Sequence, residues 1–187
     1  MHKVVVLISG SGSNLQAIID NAIDIGIKIA CVISNKEGVF GLERAKKAGI
    51  STKVVISKNQ QREVFDERLA EVIDTYNPKL IILAGFMRIL TSEFVQKYEG
   101  KMLNIHPSLL PKFKGLNTHQ RAIEVGEEFA GASVHLVSSE LDSGEIIDNI
   151  KVKITTKNSK VLAKEVLKQE HILYPRAIKL FIKNNNV

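Results

Sequence analysis

The chain has 187 residues, 44% hydrophobic and 25% charged, which suits one globular α/β domain over residues 1–187 with a core that needs no disulfide staples. No apolar run approaches a membrane span, Ser9-Gly10-Ser11-Gly12 breaks any secretory-leader layout, and the lone Cys31 reads as a small buried hydrophobe of a reducing, cytoplasmic setting. The formal net charge of +6 comes largely from lysines scattered from Lys151 to Lys183, and with 5% aromatics and no tryptophan it forms no base-stacking surface, so neither nucleic acid nor a membrane is expected as a partner.

Val4 to Ile8 is an unbroken apolar run, the signature of a strand buried on both faces. Ser9-Gly10-Ser11-Gly12-Ser13-Asn14 follows, and then Leu15, Ile18, Ile19, Ala22 and Ile23 recur on one helical face. A strand, a glycine-serine loop and a helix start with free amides together make an anion site. A dinucleotide fingerprint would need a third glycine where Leu15 stands and an acidic residue where Ser34-Asn35 ends the second strand. The Gly-Lys-Ser/Thr of a P-loop is missing too. A single phosphate held by Gly12, Ser13 and Asn14 fits better; a purely structural turn is the alternative.

Ile27 to Ile33 reads as the second strand, Gly41 to Ala48 as a short helix closed by Gly49, and Lys53 to Ile56 as the third strand. Gln60 to Tyr76 is a longer helix with Val64, Phe65, Leu69, Val72 and Ile73 as its buried stripe, stopped by Asn77-Pro78. Leu80 to Leu83 is the fourth strand, and Ala84-Gly85-Phe86-Met87-Arg88 leaves it as a loop. Thr91 or Ser92 caps a helix running to about Tyr98. Met102 to His106 alternates apolar with polar as the fifth strand, and Pro107 ends it. Strands separated by helices require right-handed crossovers, so the expectation is a doubly wound, mostly parallel sheet with helices on both faces. Ala132 to Val137 and Glu145 to Ile154 break the alternation: their short connection allows only an antiparallel pair. Lys160 to Asn184 is a terminal helix, interrupted near Pro175, and Asn184 to Val187 is expected to fray.

In such sheets ligands sit at the carboxyl ends of the strands, which puts the loops at Gly12, Ser34, Met87 and His106 along one rim. Asn104 and His106, two apart in a strand, share a face. A carboxamide beside an imidazole suits carbonyl chemistry, one donating to an oxyanion and the other moving a proton near neutral pH. The plain alternative is a locally paired asparagine and a satisfied loop histidine. Asp142, in the Leu141-Asp142-Ser143-Gly144 turn, would favour an imidazolium at His106, or else be an ordinary turn aspartate. His119 and His135 read as structural, and Glu170 as part of a solvated helix face. No His-Glu-x-x-His, cysteine cluster or Gly-x-Ser-x-Gly occurs, so neither a metal site nor a serine hydrolase is expected.

The run Leu103-Asn104-Ile105-His106-Pro107-Ser108-Leu109-Leu110-Pro111 closely resembles the signature of folate-dependent formyltransferases, and Gly131 to His135 with Leu141 to Gly144 resembles their second signature. Val6 to Ile18, Leu83 to Leu90 and Gln169-Glu170-His171 resemble the purine-synthesis branch of that family. The resemblance runs from Val4 to Pro175 and implies a doubly wound fold, 10-formyltetrahydrofolate as co-substrate, and glycinamide ribonucleotide as the small-molecule acceptor. It implies a catalytic trio of Asn104, His106 and Asp142, a substrate phosphate on Gly12, Ser13 and Asn14, and Glu170 at the glycinamide end. Arg62, Met87, Arg88, Ile89, Leu90 and Asn104, with Ser138, Ser139, Glu140, Leu141 and Asp142, would line the folate pocket. No metal is implied, and the state is a monomer or a homodimer. The pattern departs at Asn117, Leu136 and Glu145, where the family usually carries His, an aromatic and Pro.

Overall fold

The computed structural model describes residues 1–185, which form a seven-stranded sheet clothed by helices. In chain order the elements are β1 (His2–Ile8), α1 (Ser13–Asp20), α2 (Ala22–Ile25), β2 (Ile27–Ser34), α3 (Phe40–Lys47), β3 (Thr52–Val54) and α4 (Arg62–Asp74). Then come β4 (Leu80–Leu83), α5 (Ser92–Lys97), β5 (Met102–His106), α6 (Thr118–Glu124), β6 (Phe129–Leu136), β7 (Ile146–Lys153) and α7 (Ser159–Asn185). The strand order is β3-β2-β1-β4-β5-β6-β7, parallel from β3 to β5 and antiparallel at β6 and β7. This is the doubly wound sheet with a C-terminal antiparallel pair that the alternation implied.

Val4 to Ile8 of the central β1 are all 0% exposed. Their alternation feeds two cores, with Val4, Val6 and Ile8 packing toward α1 and α7, and Val5 and Leu7 toward α4 and α5. Each buried side chain of this kind contributes roughly 1.5–3 kcal/mol relative to exposure, so β1 anchors both layers. Leu103 and Ile105 of β5 join the α1–α7 side, while Met102 joins the other. Asn104 and His106 therefore point to the α4–α5 side, just past the last apolar residue that β5 gives to that core. There the loops after β5 and after β6 take over from helices.

Several expectations need correction. The first helix breaks at Asn21, whose side chain donates to the Ala17 carbonyl (2.8 Å), so α2 is turned and Ile23 is left 87% exposed rather than on the buried stripe. On α4, Phe65, Leu69 and Ile73 are buried as expected, but Val64 is 42% exposed because it sits in the first turn, beyond the sheet. The short helix α6 was not foreseen; its two buried residues, Thr118 and Ala122, leave too little periodicity to read. β6 begins three residues before Ala132, because Gly131 reads as a breaker yet is a strand residue against which the Ile150 carbonyl packs where any Cβ would lie. Pro175 does not interrupt α7, which runs unbroken from Ser159 to Asn185. The missing amide, worth about 3 kcal/mol in an isolated helix, is offset by burial of Leu173, Tyr174, Pro175, Ala177 and Ile178. Of the segment expected to fray, Asn184 and Asn185 belong to α7, and Asn186 and Val187 lie outside the described residues.

Candidate functional site

The turn between β1 and α1 is built by close glycine packing. Gly12 is the N-cap of α1 in the left-handed region (φ 70°), and a Cβ there would stand 2.7 Å from the Gly41 Cα. Gly41 in turn donates its amide to the Gly10 carbonyl (3.1 Å), and a Cβ on it would meet Ile8 Cδ1 at 2.5 Å. Glycine at both positions lets α3 press on the loop and fix it. No side chain caps α1, so the amides of Ser13, Asn14 and Leu15 face outward at the positive end of the helix dipole. Arg44 of α3 adds a cation beside them, with Nε donating to the Ser11 carbonyl (2.9 Å) and Nη1 to Gln16 Oε1 (3.2 Å). Helix amides plus a guanidinium have the chemistry to hold an anion such as a phosphate. Arg44 was not singled out from sequence; its distance from Gly12 along the chain hid it.

Asn14, buried, donates from Nδ2 to Glu170 Oε2 at 2.7 Å, while its own Oδ1 is buried without a partner among the described residues. Glu170 is only 7% exposed, so it does not belong to a solvated helix face. Burial pushes its carboxyl above the usual range, against the pull of the Asn14 amide. A buried carboxylate with one hydrogen bond is a site for a cationic or N–H-bearing group. One turn along α7, the Tyr174 hydroxyl donates to the Leu83 and Leu103 carbonyls at 2.8 and 3.0 Å, tying α7 to the ends of β4 and β5. Leu103 precedes Asn104, so the anion loop, Glu170 and the strand-five pair are joined by a continuous set of contacts.

At β5 the structure brings Asn104, His106 and Asp142 together. His106 Nδ1 lies 3.3 Å from Asp142 Oδ2, both side chains more than 90% buried. His106 Nε2 donates to the Phe113 carbonyl at 2.9 Å, which pins the ring and turns Nδ1 toward the carboxylate. Gly115 donates its amide to Asp142 Oδ2 (3.0 Å). Burial drives the Asp142 carboxyl up, but the Gly115 amide and the His106 ring outweigh it, and the group is held below its ordinary value. Phe113, at φ 56°, is a bulky residue in the left-handed region, and that strained backbone is what aims its carbonyl at the imidazole.

His135 belongs to this group, although it reads as structural from sequence. It stands opposite Asn104 in the β5–β6 register, and Asn104 Nδ2 donates to its Nε2 at 3.2 Å. Its Nδ1 faces the Leu136 carbonyl at 2.8 Å and so carries the proton, leaving Nε2 to accept from Asn104. Its Nε2 also lies 3.6 Å from Asp142 Oδ1. The only signal for it was strand alternation; the register that sets it against Asn104 is not written in either segment alone. His119 lies beside His106, and burial, with the His106 charge, lowers its pKa below the ordinary value.

The proposed pocket-lining residues fall in two loops and one helix start. Met87 and Ile89 of the first loop are 69% and 58% exposed and Leu141 of the second is 53% exposed, large apolar side chains left open to solvent. Leu90 and Val137, at the bases of the two loops, pack against the same core. Ser138 Oγ donates to the Glu140 carbonyl (3.0 Å) and shapes the second loop. Arg62 opens α4 and is exposed. Arg88 is turned inward, donating to the Ser57 and Gln60 carbonyls at 3.2 and 3.1 Å and lying 4.9 Å over the Phe65 ring. What Arg88 has left to offer a ligand is its backbone. Of the three departures, Asn117 suits its left-handed φ of 57° as N-cap of α6, and Glu145 accepts from the Leu136 amide (2.8 Å) through a carbonyl that proline would keep.

The formyl transferase family model matches residues 2–178. The phosphoribosylglycinamide formyltransferase of Escherichia coli (strain K12) is 50% identical over 183 residues, 96% of this chain and 86% of that protein. The enzyme of the same name from Haemophilus influenzae is 48% identical, covering 97% and 87%. Among solved structures, the phosphoribosylglycinamide formyltransferase of Coxiella burnetii superposes with a TM-score of 0.90 at 46% identity, covering 98% and 88%. Glycinamide ribonucleotide transformylase 1 of Symbiobacterium toebii gives 0.94 at 39%, covering 98% and 89%.

Proposed function

The chain belongs to the formyl transferase family, and from that premise we propose that it transfers the formyl group of 10-formyltetrahydrofolate to the amine of glycinamide ribonucleotide, in purine biosynthesis in the cytoplasm. Residues 1–187 act as one formyltransferase domain. The observation that carries the reading is the convergence of a carboxamide, an imidazole and a carboxylate, Asn104, His106 and Asp142, on a sheet edge that also carries the uncapped start of α1.

The ribonucleotide phosphate sits on the amides of Gly12, Ser13 and Asn14, and Glu170 takes the glycinamide end, its buried carboxylate matched to an N–H donor. Met87, Ile89 and Leu90, with the backbone of Arg88, face Ser138, Ser139, Glu140 and Leu141 across the folate, and Arg62 reaches the acidic tail from the edge. The folate supplies the activated formyl carbon. As the amine attacks it, negative charge gathers on the formyl oxygen. Asn104 donates to it from its carboxamide, held in place by His135, and the His106 ring, pinned at Nε2 by the Phe113 carbonyl and paired with Asp142 at Nδ1, stabilises it by its positive charge. Asp142, kept ionised by the Gly115 amide and the His106 ring, supports the imidazolium and takes the amine proton on its way to the leaving nitrogen. The attack is direct, with no covalent enzyme intermediate, and Cys31, 0% exposed in the core, takes no part.

The test mixes purified protein with 10-formyltetrahydrofolate and follows folate absorbance with and without glycinamide ribonucleotide. Absorbance change that requires the ribonucleotide, with formylated product by mass spectrometry, is expected. Equal rates without it would mean that water is the acceptor and would overturn the assignment.

A further inference from the structure

The Met87–Leu90 loop leaves β4 without secondary structure of its own, yet it carries one wall of the proposed folate pocket. Its start is held where the Met87 amide donates to Ser9 Oγ (2.7 Å). Its middle is held by the inward Arg88. Its end is held by a buried acid. The Thr91 amide donates to Asp66 Oδ2 at 2.6 Å, with Asp66 only 3% exposed. The other oxygen, Asp66 Oδ1, is buried with no partner among the described residues. Thr91 is also the N-cap of α5, its Oγ1 accepting from the Phe94 amide (3.2 Å), so one residue ties the loop both to α5 and to α4.

A buried acid with an unsatisfied oxygen is a poor choice for stability alone, since a hydroxyl or amide would cap Thr91 without it. Burial raises the Asp66 carboxyl above its usual value despite the Thr91 amide and hydroxyl and the charges of Arg88 and Arg62. The position explains the choice. Asp66 stands one helical turn after Arg62 on α4, with Phe65, the ring under Arg88, beside it. The Thr91 amide is thus fixed on a carboxylate of α4, which sets the distance between the α4 start and the end of the loop.

We propose that Asp66 is the positioning residue of the folate pocket: it touches no reacting atom, but through Thr91 it holds the end of the Met87–Leu90 wall at the spacing that a pteridine ring requires. This rests on the reading of that pocket given above. The two halves of the enzyme are then separable, because Asp66 braces the folate side and, among the described residues, shares no hydrogen bond or ion pair with the Gly12 loop or Glu170.

The experiment compares Asp66→Ala, Asp66→Asn and Asp66→Glu with the unaltered protein, by steady-state kinetics in both substrates, calorimetry with tetrahydrofolate and with glycinamide ribonucleotide, and thermal melting. Asp66→Ala is expected to raise KM for 10-formyltetrahydrofolate and Kd for tetrahydrofolate about tenfold, as loss of one charge-assisted hydrogen bond does, with the ribonucleotide constants unchanged. Asp66→Asn, whose carboxamide oxygen still accepts from Thr91, restores folate binding to within about threefold. Asp66→Glu displaces Thr91 by a methylene while keeping the charge, raises the folate constants alone, and carries the test should the alanine variant not fold. Folate constants unchanged in the folded variants, both substrates weakened alike, or an asparagine variant as poor as the alanine one would overturn the proposal. An unaltered protein that transfers no formyl group would instead sink the functional reading, and the two failures are told apart by that control.

Discussion

Replacing Glu170 by glutamine is expected to make the ligand-free protein more stable and the enzyme worse. The carboxyl is 7% exposed and accepts one hydrogen bond, from Asn14 at 2.7 Å. Burial raises its pKa from 4.5, so the folded state holds this proton more tightly than the unfolded chain does. Below pH 4.5 both states are protonated and Glu170 carries no penalty. As pH climbs through the folded value stability falls, and it levels off once the native carboxyl is ionised. Glutamine removes that penalty, at the cost of exchanging a charge-assisted hydrogen bond for a neutral one, about 1 kcal/mol. The desolvation of a poorly paired buried ion is several kcal/mol after relaxation, so a net gain of about 1–2 kcal/mol remains. For a chain of 187 residues each kcal/mol moves Tm by about 2–4 °C, so Glu170→Gln should melt about 2–8 °C higher near neutral pH. The gap should close as pH falls toward 4.5. Under turnover the same variant should raise KM for glycinamide ribonucleotide about tenfold or more. Melting curves across the pH range decide it: a variant less stable at every pH, or a gap indifferent to pH, would refute the reasoning.

Asn104→Ala removes one oxyanion donor and should lower kcat about 100- to 1000-fold, with a Tm close to the unaltered value because Asn104 is only half-buried; a rate within tenfold would remove it from catalysis. Asp142→Asn keeps the turn, since asparagine tolerates the φ of 49°, so activity lost there reflects charge rather than shape. Asp142 is held below its ordinary 3.8, so it stabilises the fold at pH above that value and the stability is lost as pH falls through the folded pKa. The Asp142→Asn variant should therefore melt below the unaltered protein near neutrality and match it in strong acid. Gly12→Ala puts a methyl 2.7 Å from the Gly41 Cα at φ 70° and should cost about 2–5 kcal/mol, read as a fall in Tm together with weaker binding of inorganic phosphate.

The sheet was legible because its signals are local. The apolar run of Val4 to Ile8, the alternation of Met102 to His106 and the short connection before Glu145 each bear on one element, and together they give the class of sheet, though not its strand order. What stayed illegible was decided across the chain. Burial of Glu170 depends on α7 lying against the Gly12 loop, and nothing in Gln169-Glu170-His171 separates that from a solvated helix face. Phe113 and Gly115 act through a carbonyl and an amide, which every residue has, so no side-chain pattern marks them. Pro175 is a strong local stop that tertiary burial overrides.

The switch from parallel to antiparallel pairing at β5 and β6 is what makes room for the chemistry. Had β6 run parallel, a crossover helix would have covered β5, as α5 covers the face beside Met102. Antiparallel β6 needs no crossover over that face, so the side chains of Asn104 and His106 meet loops instead. The same reversal sets His135 opposite Asn104, two residue pairs along from the His106–Ser133 pair, so that asparagine and both imidazoles share one face. A loop can then offer what a helix cannot: the Phe113 carbonyl and the Gly115 amide, unpaired with their own segment, are free to orient His106 and to hold Asp142 ionised. The antiparallel pair thus belongs to the active-site architecture as much as to the sheet.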